Sequence, residues 1–163
     1  MPGPGEYRAD PTEGIARVED LPKPRVVRRS RNFARRPCPK CGHSCYRKRT
    51  LGRTLHDVGD LVYGRPRNIH LNYSQHYCCK CKSHFNVDMC DLALPKCHYT
   101  HRVTALAVRL VMEDGLPYRA ASWHLWRDHR VFVPYATIQN WVEAGGKKGR
   151  AARRRRISRR RAG

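Results

Sequence analysis

Four cysteines in two closely spaced pairs have the residue type and spacing of metal ligands. Cys38 and Cys41 form one C-x-x-C pair, which is followed directly by Gly42, and Cys78 and Cys81 form a second pair after 36 intervening residues. A C-x-x-C turn brings two thiolates to one side of the chain, and structural zinc takes four such ligands in a tetrahedron at about 2.3 Å. The sequence therefore predicts one structural Zn2+ site built from these four thiolates.

The other four cysteines give weaker signals. Cys45 and Cys79 are close enough to the predicted ligands that either could replace one of them. A further Cys and His cluster matches no recurrent finger spacing, so buried thiols are its simpler interpretation, with a second metal site left open. The members of that cluster are Cys90, Cys97, His98 and His101. Disulfides and nucleophilic catalysis are disfavoured, because neither an export signal nor a separate His and Asn partner set is found.

Strand-forming residues occupy the gap between the two cysteine pairs. The strands are predicted at 50–58, 59–62 and 68–73, with turn residues at Gly64 and Pro66. An elongated zinc ribbon accommodates a β-hairpin of this kind. We therefore assign 37–97 to a zinc-ribbon-like domain.

After His101 the apolar period changes to three and four residues, which is typical of amphipathic helices. The signals for helix ends predict one helix that Gly115 ends, one from Pro117 to about Asp128, and one from about Pro134 that Gly145 ends. Three short helices in this order describe a helix-turn-helix unit, which we assign to 98–144. We expect the three tryptophans to lie in its core.

The third predicted helix has two chemically different sides. Ile138, Trp141 and Val142 would face the core, whereas the outward side is polar. Asn and Gln match adenine in the major groove, and Thr can contact a phosphate or a thymine methyl group. The predicted base-reading residues are Tyr135, Thr137, Gln139 and Asn140. A plain three-helix bundle with a solvated polar side is the alternative, because this segment is close to neutral.

The charge of the chain indicates a polyanionic partner. Lys and Arg number 34 against 13 Asp and Glu, so the formal net charge is +21. Nucleic acid is the abundant counterpart, although a basic tail can also bind anionic membrane or simply be solvated. Phosphate contacts would fall to basic residues of the ribbon and the tail. These are Arg47, Lys48, Arg49, Arg65 and Arg67 in the ribbon, and Arg153, Arg154, Arg155 and Arg156 in the tail.

Both ends of the chain lack the apolar periodicity of folded elements. Residues 1–36 are rich in Pro and Arg and contain no apolar h-region, so we predict a disordered arm without a secretory signal. Residues 145–163 begin with a Gly-rich stretch and continue into arginine runs that repel one another, so we predict a disordered tail. The low complexity of this tail suggests a shifted reading frame. We expect no membrane span, because no run approaches the roughly 18–20 uncharged apolar residues that one needs.

The order of these motifs resembles a known family. The C-P-K-C-G run at Cys38, the T-L-H-D-V-G run at Thr54 and the Y-C-C-K-C-K-S-H-F run at Tyr77 are similar to the amino-terminal zinc ribbon of bacterial and archaeal insertion-sequence transposases. The G-L-P-Y-R run at Gly115 and the T-I-Q-N-W-V run at Thr137 resemble the helix-turn-helix that follows it in that family. Together the two regions cover about 105 residues in the family's order.

The resemblance implies zinc ligands at Cys38, Cys41, Cys78 and Cys81 and a recognition role for the helix at 134–143, acting on the DNA ends of a mobile element. Such transposases continue into an RNase H-like domain whose Asp-Asp-Glu triad holds two divalent metals. Only 21 residues follow Val142, and Glu143 is the one acidic residue among them. We therefore carry over no catalytic residue and expect no enzymatic activity from this chain alone.

The sequence thus predicts a small α+β chain with a β-hairpin zinc ribbon, a three-helix helix-turn-helix unit and disordered basic termini. The predicted function is zinc-dependent, transposase-like binding of element-end DNA in a prokaryotic cytoplasm, at the nucleoid. The expected partner is double-stranded DNA, with a transposase catalytic chain or a second copy of the chain as further candidates. A stand-alone regulator or transposition inhibitor is the alternative, followed by an RNA-binding zinc-ribbon protein of ribosomal type.

Overall fold

The architecture is a mixed five-stranded sheet with three α-helices packed against one end of it. The computed structural model describes the backbone of residues 16–60 and 62–161, and the side chains as far as Lys148. After a 3-10 turn at Val18–Asp20, the elements are β1 (Arg25–Arg31), β2 (Arg35–Pro37), β3 (Ser44–Asp60), β4 (Arg65–Cys78), β5 (Ser83–Asn86), α1 (His101–Met112), α2 (Tyr118–Asp128) and α3 (Tyr135–Arg161). The prediction of a small α+β fold is confirmed.

A long β-hairpin forms the centre of the sheet. β3 and β4 pair antiparallel, and Gly64 at their turn adopts the left-handed conformation with φ of 63°. The strand order is β1-β4-β3-β2, and β5 pairs with β4 beyond the end of β1. The predicted strand material is confirmed, but the two strands are longer than expected. Pro66, predicted in the turn, is the second residue of β4, where a missing N–H is tolerated near a strand end.

β1 and β2 show that the predicted disordered arm is wrong from Ala16 onward. β1 pairs in parallel with residues 67–73 of β4, and β2 pairs antiparallel with the start of β3. Arg31 at the end of β1 also makes two hydrogen bonds to the Asp91 carboxylate, at 2.6 and 2.5 Å. Composition failed as a guide because backbone hydrogen bonds to a neighbouring strand need few apolar side chains. Residues 1–15 of the predicted arm lie outside the described residues.

α3 corrects the prediction for the end of the chain. The helix begins at Tyr135 but continues past Gly145 to Arg161, so 145–161 is helical rather than disordered. Each glycine costs only about 1 kcal/mol in a helix interior, and the Lys, Arg and Ala residues that follow are strong helix formers. Residues 162–163 lie outside the described residues. Neither α3 nor another helix in the described part of the chain is long and apolar enough to cross a membrane.

The three helices enclose an apolar core of their own. Trp141 and Val142 of α3 pack against it, so the predicted inward side of α3 is confirmed. The buried members of this core are Val103, Ala107, Leu110, Ala121, Leu125, Val131, Val133 and Ile138. Trp126 of α2 is also buried, whereas Trp123 is 60% exposed, so the expectation that all three tryptophans lie in the core is wrong. Three residues are about 60° short of a full helical turn, which moves Trp123 off the buried side.

The helices meet the sheet at the end of β3. The backbone N–H of Gly59 donates to the carbonyl of His129 at 2.8 Å, and a Cβ built on Gly59 would lie 2.4 Å from Cβ of Arg130. His56 exchanges backbone hydrogen bonds with the segment before α1, at 2.8 Å to the His98 carbonyl and 3.0 Å from the Thr100 N–H. Only glycine allows the loop between α2 and α3 to approach β3 this closely.

A buried carboxylate completes this junction. Asp57 of β3 is 3% exposed and accepts a hydrogen bond from the Thr100 hydroxyl at 2.8 Å. The guanidinium groups of Arg67 in β4 and Arg102 in α1 each lie 3.6 Å from the same carboxylate. A buried charge is stable only when it is paired and hydrogen-bonded. Asp57 therefore links both strands of the hairpin to the first helix.

Replacing Asp57 by Asn should destabilise the fold by about 2–3 kcal/mol, because a buried charge-assisted hydrogen bond and two ion pairs are lost together. Urea unfolding followed by circular dichroism measures this loss. The control is Asp91→Asn, which removes an exposed ion pair to Arg31 and should cost less than about 1 kcal/mol. Equal small losses in the two variants would contradict the role of Asp57.

Candidate metal centre

Two turns at one end of the hairpin carry the predicted ligands. The first turn joins β2 to β3, and the second joins β4 to β5. The four ligands are Cys38 and Cys41 in the first turn, and Cys78 and Cys81 at the second. Each turn ends in a left-handed residue, Gly42 with φ of 73° and Lys82 with φ of 50°. The two C-x-x-C segments therefore have similar backbone paths, and strand pairing places them side by side.

The sulfur positions fit a tetrahedral metal ion. All four Sγ atoms lie within 4.8 Å of one another, with Cys38 to Cys81 at 3.9 Å and Cys41 to Cys78 at 3.6 Å. A tetrahedron of sulfur atoms at 2.3 Å from zinc has edges of about 3.8 Å. A disulfide needs about 2.05 Å, and all eight cysteines are free. The predicted group of four cysteines that could hold one metal ion is confirmed.

Backbone amides inside the turns favour ionised sulfur at two of the four positions. The backbone N–H of Cys81 lies 3.4 Å from Sγ of Cys78 and, as the largest influence, lowers the pKa of Cys78 to about 6. The backbone N–H groups of Cys41 and Lys40 lower the pKa of Cys38 in the same way. Hydrogen bonding with Cys41, followed by burial, raises the pKa of Cys81 to about 12. The metal-free group thus combines thiolates with thiols whose protons a cation would displace.

The two neighbouring cysteines lie beside the four sulfur atoms. Cys45 is buried and packs against Cys38 and Cys78, but its thiol donates to the carbonyl of His43 at 3.2 Å. Burial raises the pKa of Cys45 to about 11, which favours the protonated thiol. Cys79 is exposed, with its sulfur 3.6 Å from Nε2 of His43. Neither residue belongs to the compact group, so the alternative in which one of them replaces a ligand finds no support.

A buried histidine packs beside the cysteine group, and the sequence analysis did not identify it. His76 of β4 has no exposed surface, and its Nδ1 lies 3.1 Å from the carbonyl of Cys45 while Nε2 lies 2.8 Å from the Ser74 hydroxyl. Its ring stacks on Phe85, which packs against the cysteines, with centroids 5.4 Å apart. The available signal was strand alternation, since His76 lies two residues before Cys78 and shares its side of β4.

The second group of Cys and His residues does not form a metal site. Within the described ranges, the four-cysteine group is the only set of three or more His, Cys, Asp or Glu side chains close enough to hold an ion. Nε2 of His101 instead hydrogen-bonds to the backbone carbonyl of Cys90, at 2.5 Å. The other two members of the predicted cluster are Cys97 and His98. Cys90, Cys97 and His98 lie in the connection between β5 and α1, and His101 is the first residue of α1.

The predicted base-reading residues lie along the first turns of α3. Tyr135 is 45% exposed, Asn140 is exposed, and Thr137 and Gln139 are half-buried. The guanidinium of Arg119 in α2 lies 4.8 Å from the ring centroid of Tyr135. Gln139 donates to the carboxylate of Glu143 at 2.9 Å. Tyr135 and Asn140 are therefore the most accessible of the four.

The predicted phosphate contacts of the ribbon lie along the hairpin, and most of them already have partners. Arg47 donates to the Asn32 side chain at 2.7 Å, Arg49 donates to the Gln75 side chain at 2.7 Å, and Arg65 donates to the Lys23 carbonyl at 3.0 Å. Arg67 pairs with Asp57, whereas Lys48 is simply exposed. The side chains of Arg153, Arg154, Arg155 and Arg156 lie outside the described residues.

No protein-family model, curated protein or solved structure matches this chain. The resemblance to insertion-sequence transposases therefore rests on the motifs named above.

Replacing Cys78 by Ser should abolish metal binding, because a hydroxyl is a poor substitute for a buried thiolate ligand. Protein purified without added metal should contain one equivalent of metal in the wild type and less than about a tenth of that in the variant. The matched control is Cys79→Ser, which changes the adjacent exposed thiol and should retain the full equivalent. A folded, metal-free wild-type chain would contradict the assignment.

Metal affinity should fall as the pH is lowered, because protons compete with the cation for sulfur. With a pKa of about 12, Cys81 must lose a proton on metal binding throughout the neutral range. The proton on Cys78, whose pKa is about 6, competes only below that pH, so the fall should become steeper there. Competition with a chromophoric chelator measures the affinity. An affinity that does not change with pH would contradict thiolate ligation.

Proposed function

We propose that this chain is a zinc-dependent DNA-binding protein of the transposase type, which recognises element-end DNA. In this proposal Zn2+ holds the ribbon together, and the first turns of α3 enter the major groove. The observation that carries it is the division of α3 into two sides, with Ile138 fully buried and Asn140 and Tyr135 exposed. An exposed Asn on a helix can make two hydrogen bonds to adenine.

Zinc is the metal that suits the site best. Four thiolates with tetrahedral spacing are typical of structural zinc sites, and hard cations such as Mg2+ and Ca2+ prefer oxygen ligands. The residues that would hold it are the four cysteines of the two turns. Bound zinc would neutralise their charge and fix the turns relative to each other. Its role is structural, because all four ligand positions would be filled by protein.

The three helices support a helix-turn-helix interpretation. α2 and α3 are joined by residues 129–134, a connection somewhat longer than the three or four residues of the shortest such units. This connection is fixed by the hydrogen bond from the Ser122 hydroxyl to the Val133 carbonyl and by burial of Val131 and Val133. A rigid connection is what a recognition helix requires, because base readout depends on its orientation in the groove.

The charge of the chain agrees with a nucleic-acid partner. The formal net charge is +21, and residues 144–163, much of them in the second half of α3, carry ten Lys and Arg and no acidic residue. Each phosphate neutralised on duplex DNA contributes about −0.9 to the slope of log K against log salt. This charge suits both a transposase region that binds element ends and a regulator that occupies the same DNA ends.

The test is selection of binding sites from a random duplex library, followed by affinity measurements with the Asn140→Ala variant. Loss of one bidentate base contact should weaken binding to the selected site by about 1–3 kcal/mol, with non-specific binding unchanged. The control is Asn86→Ala, which removes an exposed Asn of β5 and should bind like the wild type.

Two results would contradict the proposal. One is a selection that enriches no sequence, and the other is tighter binding to structured RNA than to duplex DNA at equal salt. The second result would favour the RNA-binding alternative.

A further inference from the structure

The sheet has an open face across the middle of β1, β4 and β3. Leu55, Ile69 and Leu71 are buried on one side, so strand alternation directs the intervening side chains to the opposite side. Two rows of exposed residues cross this side in register. They are Arg28, His70 and Thr54 in one row, and Ser30, Asn72 and Gly52 in the next.

These two rows line a shallow cleft of about 560 Å3. This volume falls within the range of roughly 300–1,000 Å3 that is typical of ligand sites. The lining offers a guanidinium, an imidazole, two hydroxyls and an amide, and it contains no carboxylate. Such a surface complements an anion that also carries hydrogen-bonding groups.

Gly52 forms part of the lining, and neither strand pairing nor close packing requires a glycine at this position. It lies within β3, where pairing with β4 runs without interruption from Arg49 to Asp57, and a Cβ built on it would meet nothing within 4 Å. Gly59 is the opposite case, because neighbouring backbone fills the space beside it. A glycine within a strand costs stability and often marks a place where a ligand approaches the backbone. The open space above Gly52 is therefore suited to a ligand.

One cationic side chain at the cleft has donors to offer. The Arg28 side chain makes no ion pair and no hydrogen bond within the described part of the chain. Arg29 and Arg53 also line the cleft, but strand alternation directs their side chains to the side of Leu55, so Arg28 supplies its guanidinium. A guanidinium without an acceptor can donate to a bound phosphate oxygen.

The charge of the chain favours a polyanion over a single small anion at this face. The formal net charge is +21, with 34 Lys and Arg against 13 Asp and Glu. A second cleft of about 350 Å3, lined by Lys48, Arg49, Gln75 and His84, does not extend the face. Pairing runs without a shift from Arg49 to Asp57, so Arg49 and Gln75 lie on the side of Leu55.

We propose that this open face binds an unpaired nucleic-acid strand, with one nucleotide seated above Gly52. The phosphate lies against Arg28, the base stacks on the His70 ring, and the Asn72 amide hydrogen-bonds the base edge, since single strands are bound through such stacking and edge contacts. The surface belongs to other elements than α3. The proposal therefore goes beyond duplex recognition by that helix and does not depend on it.

The decisive variant is Gly52→Val in the full-length chain. Valine favours strands, so the thermal midpoint should stay equal or rise, while its side chain fills the cleft. Fluorescence anisotropy with a labelled oligothymidine of about twelve nucleotides, near the site sizes of single-strand binders, should show at least about tenfold weaker binding. The isosteric control is Thr50→Val, which lies on the same strand outside the cleft and should bind like the wild type.

A second variant tests the charge. Arg28→Gln should make the slope of log K against log salt less steep by about 0.7, the contribution of one phosphate contact on a single strand. Its control is Arg109→Gln on α1, which removes the same charge far along the sequence and should leave the slope unchanged. Equal slopes for the two variants would overturn the proposal.

Further measurements on the same variants distinguish binding at this face from binding at α3, and a bound nucleic-acid strand from a second copy of the chain. Gly52→Val should leave duplex binding intact, and Asn140→Ala should leave oligothymidine binding intact. Comparison with oligouridine identifies DNA or RNA as the preferred strand, and either preference supports the proposal. Unchanged oligothymidine binding by Gly52→Val would overturn it. So would an equal loss of duplex binding, or a dimer in sedimentation that only this variant disrupts.

Discussion

Four sulfur atoms within 4.8 Å of one another are the constraint on which the ribbon depends. Ionised thiolates at this distance repel, and protonated thiols are weak hydrogen-bond donors, so without a cation the two turns are held beside each other mainly by strand pairing. The surrounding residues add only a small apolar group and the buried His76. A cation bound by all four sulfur atoms would convert this repulsion into a direct link between the β2–β3 and β4–β5 turns.

The opposite end of β3 is stabilised by different interactions. Asp57 is stabilised there by two guanidinium groups and a hydroxyl, and Gly59 brings the loop between α2 and α3 into backbone contact. The helical core then fixes α3 through Ile138. β3 thus connects the cysteine turns to the helices. A cation bound by the sulfur group would stabilise one end of this strand, and the contacts of Asp57 and Gly59 stabilise the other.

Sequence reasoning succeeded where the signal is local. The C-x-x-C spacing identified the four sulfur atoms that could hold a metal ion, and apolar periodicity identified the starts of the helices and the inward side of α3. It failed where a residue pairs with another that is distant in the sequence, and where disorder was predicted from amino-acid composition alone. β1 pairs with an edge of β4 that lies more than 40 residues away in the sequence. Nothing in the local sequence around Asp57 indicates that its carboxylate pairs with Arg102. The glycines at 145 and 146 suggested a helix end that the following helix formers override.

The uninterrupted pairing between Thr50 and Asp57 also restricts how this hairpin can change in length. Deleting one residue from β3 would exchange its two sides, which would expose Leu55 and bury Thr54. Only changes of two residues, made in both strands together, keep each side chain on its own side. Each such change would alter the distance between the cysteine turns and the helices by about 7 Å. Related chains should therefore differ in this distance by discrete steps rather than continuously.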